Sequence, residues 1–171
     1  MVKHALAAAA ALMLGLAACS PGEGATASAQ TPPAPTQQAA RHPVSGLEVI
    51  DLVVERGSKR LPFKVELADT PEAQARGLMF RGTLGDSEGM IFPSAVPEQR
   101  SFWMKNTPLS LDIIFVGADG RITNVAANTE PYSLKSVSST GLASAVLELR
   151  AGRAAALGIV PGDRVSWVLL K

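Results

Sequence analysis

Cysteine is almost absent from this chain of 171 residues, in which Cys19 is the single example. One cysteine cannot form an intramolecular disulfide, so an apolar core has to stabilise any fold without covalent help. Zinc sites built from several cysteines are excluded for the same reason. A folded region of about 130 residues is long enough to bury such a core.

Histidine is also scarce, because only His4 and His42 occur, and we expect both to lie outside the folded domain, placed at 43–171. That placement excludes Ser-His-Asp and Cys-His catalysis and the common zinc sites from the domain. Carboxylates, lysine, arginine, hydroxyls and methionine are left to carry any chemistry. We therefore predict no cofactor and no metal, and we lean against an enzyme without excluding one.

The domain has no excess of charge of either sign. Residues 43–171 carry 14 Lys plus Arg and 14 Asp plus Glu. Nucleic-acid binding needs a positive surface, so we predict no nucleic-acid partner. A polybasic patch for anionic lipids is missing as well.

The N-terminal region predicts export. Lys3 and His4 precede an apolar run, Ala5–Leu16, and small residues then lead to Cys19. A run of about twelve apolar residues is typical of a secretory signal peptide, here 1–18, whereas a membrane span needs roughly 20. The small residues before Cys19 resemble a bacterial lipobox, which implies a lipid on Cys19. Ser20 in the next position implies retention at the outer membrane.

Two other interpretations of this region remain open. The pattern Ala27-Ser28-Ala29 is a possible cleavage site for a soluble periplasmic protein, and the apolar run could also stay as an uncleaved anchor. Residues 19–42 are rich in Ala, Pro, Thr and Gln and predict a disordered tether of roughly 25 Å. We favour an outer-membrane lipoprotein that faces the periplasm within the cell envelope.

The domain itself predicts a mainly β fold, a compact antiparallel sandwich or barrel with one or two short helices. Short apolar strands recur, separated by turns. Thr70 and Pro71 are typical of a helix start, and Gly77 of its end. A second helix is predicted over Arg153–Leu157.

The densest stretch predicts two strands, Phe102–Thr107 and Leu111–Phe115, joined by a polar turn. Asp112 stands inside the apolar second strand. A buried carboxylate has to be paired, hydrogen-bonded or protonated, since burying it bare is unfavourable. The sequence therefore predicts a polar cluster within a β-rich domain.

Several motifs in fixed order resemble those of a known family. They include Arg76-Gly77-Leu78-Met79-Phe80-Arg81, Gly89-Met90-Ile91-Phe92, Phe102-Trp103-Met104-Lys105-Asn106-Thr107, Leu111-Asp112-Ile113-Ile114-Phe115 and Asp119-Gly120-Arg121-Ile122. Over roughly Leu61–Leu170 the chain is similar to the domain of unknown function 192 family. This resemblance implies a compact β-rich fold, often exported in bacteria, and no established activity.

Polar residues next to an aromatic platform make the first candidate site. We expect Arg81, Trp103, Lys105, Asn106 and Asp112 to bind a small ligand. The favoured function is a non-catalytic accessory module for a small ligand, a carbohydrate or peptide fragment, or another envelope component. The alternative interpretation is a half-buried tryptophan beside a solvated lysine.

Asp112 and Glu148 are the candidate catalytic residues of an alternative function. Two facing carboxylates about 5–10 Å apart could hydrolyse envelope glycans. More ordinarily, each carboxylate would pair with a basic residue or a backbone N–H, and Arg81 and Lys105 are the expected partners.

Met79, Met90 and Met104 could bind Cu(I) through their thioethers. Methionine also fills irregular cores, which is the favoured interpretation here because an aromatic residue lies near each.

Overall fold

A computed structural model describes residues 40–168. The predicted signal peptide, Cys19 and most of the predicted tether lie outside these residues. Within residues 40–168, no helix is both long and apolar enough to cross a membrane.

The described part of the chain forms nine strands and two short helices. In chain order they are β1 (Val49–Arg56), β2 (Lys59–Leu67), α1 (Pro71–Arg76), β3 (Glu88–Glu98), β4 (Ser101–Phe102), β5 (Leu111–Gly117), β6 (Ile122–Ala126), β7 (Val137–Ser138), β8 (Ala143–Arg150), α2 (Arg153–Leu157) and β9 (Arg164–Trp167). The predicted mainly β fold with short helices is confirmed.

Seven strands make one mixed sheet in the order β6-β5-β8-β3-β2-β1-β9, and β4 pairs with β7 in a small second sheet. The prediction of an antiparallel arrangement is wrong at one place, because β2 and β3 pair in parallel. A parallel pair needs a crossover connection, which the segment containing α1 supplies.

The predicted alternative of a closed barrel is not formed by strands β1 to β9. The edge strands β6 and β9 approach each other only at one corner, where Arg121 and Arg164 form an isolated bridge.

Both faces of the large sheet are covered by apolar clusters, because side chains alternate along each strand. The first face includes Leu52, Phe63, Val65, Ile91, Ile114, Leu147, Leu149, and Ala154 of α2. The second includes Leu78, Met90, Phe92, Met104, Ile113, Phe115 and Val146. A polar side chain in a central strand is therefore buried whichever way it points.

The predicted boundaries of the first helix are confirmed. The Thr70 hydroxyl accepts a hydrogen bond from the N–H of Ala73 at 3.2 Å. At the other end, Gly77 has a φ of +49° and donates its N–H to the Ala73 carbonyl. Glycine is one of the few residue types that tolerate this conformation, and Gly77 turns the chain toward the site described below.

The predicted strand at Phe102–Thr107 is wrong. Only Ser101 and Phe102 are extended, and Thr107 donates its N–H to the Met104 carbonyl at 3.1 Å, closing a turn. Asn106 has a φ of +55°, which a strand cannot contain. The alternation along this motif predicted a strand. The motif contains no glycine that would have indicated a residue in the left-handed conformation.

Candidate functional site

Two glutamates lie in one row on the second face of the large sheet. Glu66 of β2 is paired with Met90 of β3, Met90 with Glu148 of β8, and Glu148 with Ile113 of β5. Paired residues share a face, and neighbouring strands lie about 4.8 Å apart, so the two glutamates are separated by roughly 10 Å. Both are buried, at 3% and 4% exposure.

Glu66 is fully provided with partners. One carboxylate oxygen accepts a hydrogen bond from the Arg81 guanidinium at 2.6 Å, and the other accepts from the Ser45 hydroxyl. His42 completes the group, since its Nε2 lies 3.1 Å from Arg81 and its Nδ1 lies 3.7 Å from Glu66. This is a structural ion pair, in which the side chains of both Glu66 and Arg81 are largely buried.

The position of His42 corrects the prediction that both histidines lie outside the folded domain. Its contacts with Arg81 and Glu66 place it against the sheet, and Arg41 forms a bridge with Glu48 nearby. No aromatic or apolar run at 40–46 indicated this attachment, because it depends on polar contacts with residues distant in the chain. Arg81 was expected to pair with Asp112 or Glu148, but its guanidinium forms an ion pair with Glu66.

Glu148 has none of this support. Among residues 40–168 its carboxyl group makes no hydrogen bond or ion pair, and burial alone raises its pKa from 4.5 to about 8. Within the described part, no side-chain N or O atom is both fully enclosed and without a partner. The carboxyl oxygens of Glu148, which have no partner there, are therefore not fully enclosed, and Glu148 lines a cleft. An acid in this setting is protonated and neutral at pH 7.

The cleft above Glu148 has a volume of about 240 Å³. It is lined by the end of α1 and the turn after it, the loop around β4, and single residues of neighbouring elements: Gln74–Met79, Phe92, Arg100–Trp103, Thr107 and Glu148. The large sheet contributes Phe92 and the carboxyl group of Glu148 to this lining.

Aromatic side chains fix one wall of the cleft. The ring of Phe102 packs edge-on against Phe92 at 5.1 Å and against Phe115 at 6.2 Å between centroids. The Arg100 guanidinium lies 5.4 Å from the Phe102 ring centre and donates to Gln74 at 3.1 Å. These contacts attach the small β4–β7 sheet and α1 to the large sheet.

Trp103 is the predicted site residue that the structure does bring to the cleft. Its side chain is 48% exposed, so one part of the indole is available to a ligand. Lys105 lies over the Trp103 ring with its Nζ 5.2 Å from the ring centre. Asn106 is not among the residues that line the cleft, but its amide lies 3.8 Å from the sulfur of Met79, which does line it.

Asp112 lies on the opposite face of the sheet from Glu148. In the register of β5 and β8, Asp112 is paired with Leu149 and Ile113 with Glu148. Alternation then sends the two carboxyl groups to opposite faces. The predicted catalytic pair therefore has no common substrate position, and a two-carboxylate mechanism lacks its geometry.

Asp112 has a structural task. One carboxylate oxygen accepts the N–H groups of Asn128 and Gly152 at 2.9 and 3.2 Å, and the other accepts that of Ala154 at 2.8 Å. Gly152 has no side chain to cap α2, so Asp112 satisfies the free N–H groups at that helix start. The prediction that a backbone N–H could pair with this carboxylate is confirmed.

Two of the three methionines pack within the core. Met90 and Met104 are buried in the second apolar cluster, whereas Met79 lines the cleft. Residues 40–168 also contain no cluster of three His, Cys, Asp or Glu side chains placed to hold a metal ion.

The roles of two residues in this region, Glu66 and Arg100, were not predicted from the sequence. Glu66 follows a clean alternation with Lys64, which indicated a solvent-facing side, yet only Lys64 is exposed and pairs with Asp51 at 2.6 Å. Arg100 stands in a polar stretch without periodicity. The apolar residues on both sides of Glu66, Val65 and Leu67, were the one available signal.

Comparison with known proteins agrees with the fold. The profile of the domain of unknown function 192 family, described as "Uncharacterized ACR", matches residues 52–167. The chain belongs to this family. The match contains every strand of the large sheet, including Glu66 and Glu148, apart from the first residues of β1. Among curated proteins, none matches the chain.

Two solved structures are similar to this member of the domain of unknown function 192 family. A protein of unknown function from Novosphingobium aromaticivorans is 51% identical, with a TM-score of 0.74, and the match covers 77% of this chain and 94% of the other. A protein from Sinorhizobium meliloti, named as a candidate transcription regulator, is 34% identical, with a TM-score of 0.69 and coverage of 71% and 95%.

Proposed function

We propose that this protein is a non-catalytic binding module whose ligand occupies the cleft above Glu148. The observation that carries the proposal is a buried carboxyl group without a described partner, open to a cleft that an exposed tryptophan borders. Buried polar groups normally have hydrogen-bond partners, and an exception in an open cleft is where a ligand would supply one. Glu66, in the same row, needs no ligand because Arg81 supplies its partner.

The ligand we expect is neutral and polar, a carbohydrate or peptide fragment of the cell envelope. Below about pH 8, Glu148 is protonated and offers one O–H donor and acceptor oxygens, which suits hydroxyl and amide groups. The Trp103 indole provides the apolar platform on which a sugar ring or a peptide plane can lie.

We also propose that the protein is an outer-membrane lipoprotein facing the periplasm. Support comes from the sequence alone: the apolar run Ala5–Leu16, the small residues after it, and Cys19 followed by Ser20. Mass spectrometry of the N-terminal peptide from the purified protein tests this directly. A diacylglyceryl mass on Cys19 is expected, and an N-terminus created by cleavage after Ala29 would contradict it.

An NMR titration of the full chain tests the binding proposal. The probes are the trisaccharide of N-acetylglucosamine and an N-acetylated alanine dipeptide amide, each added to millimolar concentration. We expect one of them to shift the Trp103 indole N–H and the backbone amides of residues 100–107. If neither probe moves these signals, the proposed ligand class is wrong.

Two variants at one position separate binding from catalysis. Glu148→Gln keeps a neutral group with a donor and an acceptor, so ligand binding is expected to persist within about threefold. Glu148→Leu removes both and is expected to lose at least tenfold in affinity. Release of product from the trisaccharide by the native chain, abolished in Glu148→Gln, would instead establish an enzyme.

A further inference from the structure

Four large apolar side chains are exposed on loops around one turn of the backbone. Phe80 is 67% exposed, Trp103 48%, Tyr132 62% and Leu134 67%. We call these four residues the loop cluster. Soluble proteins rarely gather exposed apolar side chains in one area unless something covers them.

Backbone hydrogen bonds hold the loops of the cluster together. The N–H of Phe80 bonds to the Asn106 carbonyl at 2.8 Å, and that of Tyr132 to the Thr107 carbonyl at 3.1 Å. The N–H of Met104, next to Trp103, bonds to the Ser133 carbonyl at 2.9 Å. The four side chains therefore project from one connected platform and not from independent loops.

Two aromatic residues of the platform have an unfavourable backbone conformation. Phe80 has a φ of +63° and Tyr132 a φ of +61°, in the left-handed region that bulky residues seldom occupy. Asn106, which accepts the hydrogen bond from Phe80, is also left-handed. Strain of this kind persists where the surrounding structure imposes it, often at a functional surface.

Two lysines and one glutamate lie next to the residues of the loop cluster. Lys105 stacks on Trp103, and Lys135 follows Leu134 in the chain, while Glu130 is the acidic side chain of the same loop. Tryptophan and tyrosine concentrate at the boundary between lipid and water, and lysines there extend toward headgroups.

The first residues of the described chain contact the segment that follows Phe80. His42 contacts Arg81, the residue directly after Phe80, with 3.1 Å between Nε2 and the guanidinium. The 39 residues before the described part include the apolar run Ala5–Leu16 and Cys19. A lipid carried by Cys19 would hold the domain within about one tether length, roughly 25 Å, of the bilayer.

We propose that the loop cluster docks on the surface of the lipid bilayer, with Phe80, Trp103, Tyr132 and Leu134 in the interfacial layer. The proposal rests in part on the membrane anchor proposed above, because the anchor brings the cluster to the bilayer. It adds a defined orientation, in which the end of the domain carrying Trp103 faces the lipid. Because the cleft ligand would use the same Trp103 indole, docking and ligand binding exclude each other.

The two tryptophans of the chain allow a direct test. Trp167→Phe leaves Trp103 in the cluster, and Trp103→Phe leaves Trp167, which packs against the first apolar cluster from β9. Each full-length variant is reconstituted in vesicles of phosphatidylethanolamine and phosphatidylglycerol with brominated acyl chains. We expect bromine to quench Trp103 emission about twofold and Trp167 emission by about a tenth or less.

Failure of the docking and failure of the anchor give different results. If Cys19 is acylated and the protein sediments with vesicles, but Trp103 is quenched no more than Trp167, the docking is overturned and the anchor stands. Quenching of Trp103 in a chain without acyl groups supports the docking and removes the anchor. Trp103 shielded from iodide without bromine quenching indicates a protein occupant and overturns the docking.

A pair of leucines provides a matched control. Leu134 in the cluster is 67% exposed, and Leu142, which precedes β8, is 62% exposed. In the Trp167→Phe background, Leu134→Ser is expected to halve the quenching of Trp103, roughly, whereas Leu142→Ser leaves it unchanged. Equal effects of the two substitutions would contradict a contact made by the loop cluster.

Discussion

Glu66 and Glu148 occupy equivalent places in the sheet and have opposite electrostatic surroundings. Both are buried on the same face, with Met90 between them. Glu66 has Arg81 at 2.6 Å, while Glu148 has no described partner and a pKa raised by burial to about 8. A buried charge that is paired is part of the scaffold, and one that is left unpaired at a cleft is available for a ligand.

The segment after α1 produces this difference. Gly77 and Met79 line the cleft at Glu148, and two residues later Arg81 reaches Glu66. One short segment therefore completes the ion pair and leaves the second glutamate open. Four predictions would break or sharpen this comparison, and they follow from the largest expected effect to the smallest.

The largest effect is expected from pH at Glu148. Between pH 4.5 and about 8 the folded chain keeps a proton on this group that the unfolded chain releases. The free energy of unfolding therefore falls as the pH rises through this window, by on the order of 5 kcal/mol in total, and this contribution is constant above it. In Glu148→Gln the fall is expected to vanish, as measured by urea unfolding at several pH values.

Glu66→Gln is the matched control for that experiment. It leaves Arg81 with a neutral partner and should lower stability at neutral pH, the reverse of the change at Glu148. Parallel pH profiles for the native chain and Glu148→Gln would contradict the raised pKa.

Arg81→Leu should be nearly as severe. It leaves the Glu66 carboxylate buried without its cation, which typically lowers the free energy of unfolding by about 3–5 kcal/mol. Chemical denaturation measures the change. Glu66→Leu combined with Arg81→Leu is expected to recover much of the loss, because no isolated charge remains. A double variant as unstable as the sum of its parts would show that the pair is not coupled.

Asp112→Asn should cost about 1–3 kcal/mol, since an amide cannot accept all three N–H groups that the carboxylate now accepts. Loss of the α2 start is the physical cause. Asp163→Asn is the control: its carboxylate accepts one N–H, from Val160, in an exposed turn. If both variants unfold at the same urea concentration, Asp112 does not hold α2.

Trp103→Ala should have the smallest effect and act on binding alone. Removing the platform is expected to weaken the better of the two NMR probes about tenfold. The stability of the fold should change little, because about half of this side chain is exposed. Trp103→Phe keeps an aromatic face and should retain most of the affinity. Undiminished binding in Trp103→Ala would move the ligand away from this cleft.

Much of the secondary structure could be predicted from the sequence because its signals are local. Thr70, Pro71 and Gly77 bound α1 through contacts within a few residues, and Gly158 ends α2 in the same way. The turn at 104–107 was predicted as strand, because the left-handed Asn106 is held by a hydrogen bond from Phe80, which is distant in the chain. Local pattern carries no information of that kind.

The site could be predicted only in part. Trp103 and Glu148 were named from their residue types and do meet at the cleft, while Arg81 and Asp112 were named and serve the scaffold. The type of a residue shows that its buried polar group needs a hydrogen-bond or ion-pair partner. It does not show which residue of the folded chain becomes that partner.

The sequence by itself determined the class of fold, the family and the bounds of both helices, because alternation and capping are short-range rules. It also showed that Asp112, which stands within an apolar strand, needs a partner for its carboxyl group. Only the tertiary structure decided how the carboxyl groups of Asp112 and Glu148 are accommodated. Sheet order and loop placement, set by contacts between distant parts of the chain, gave Asp112 its three N–H groups and left Glu148 facing an open cleft.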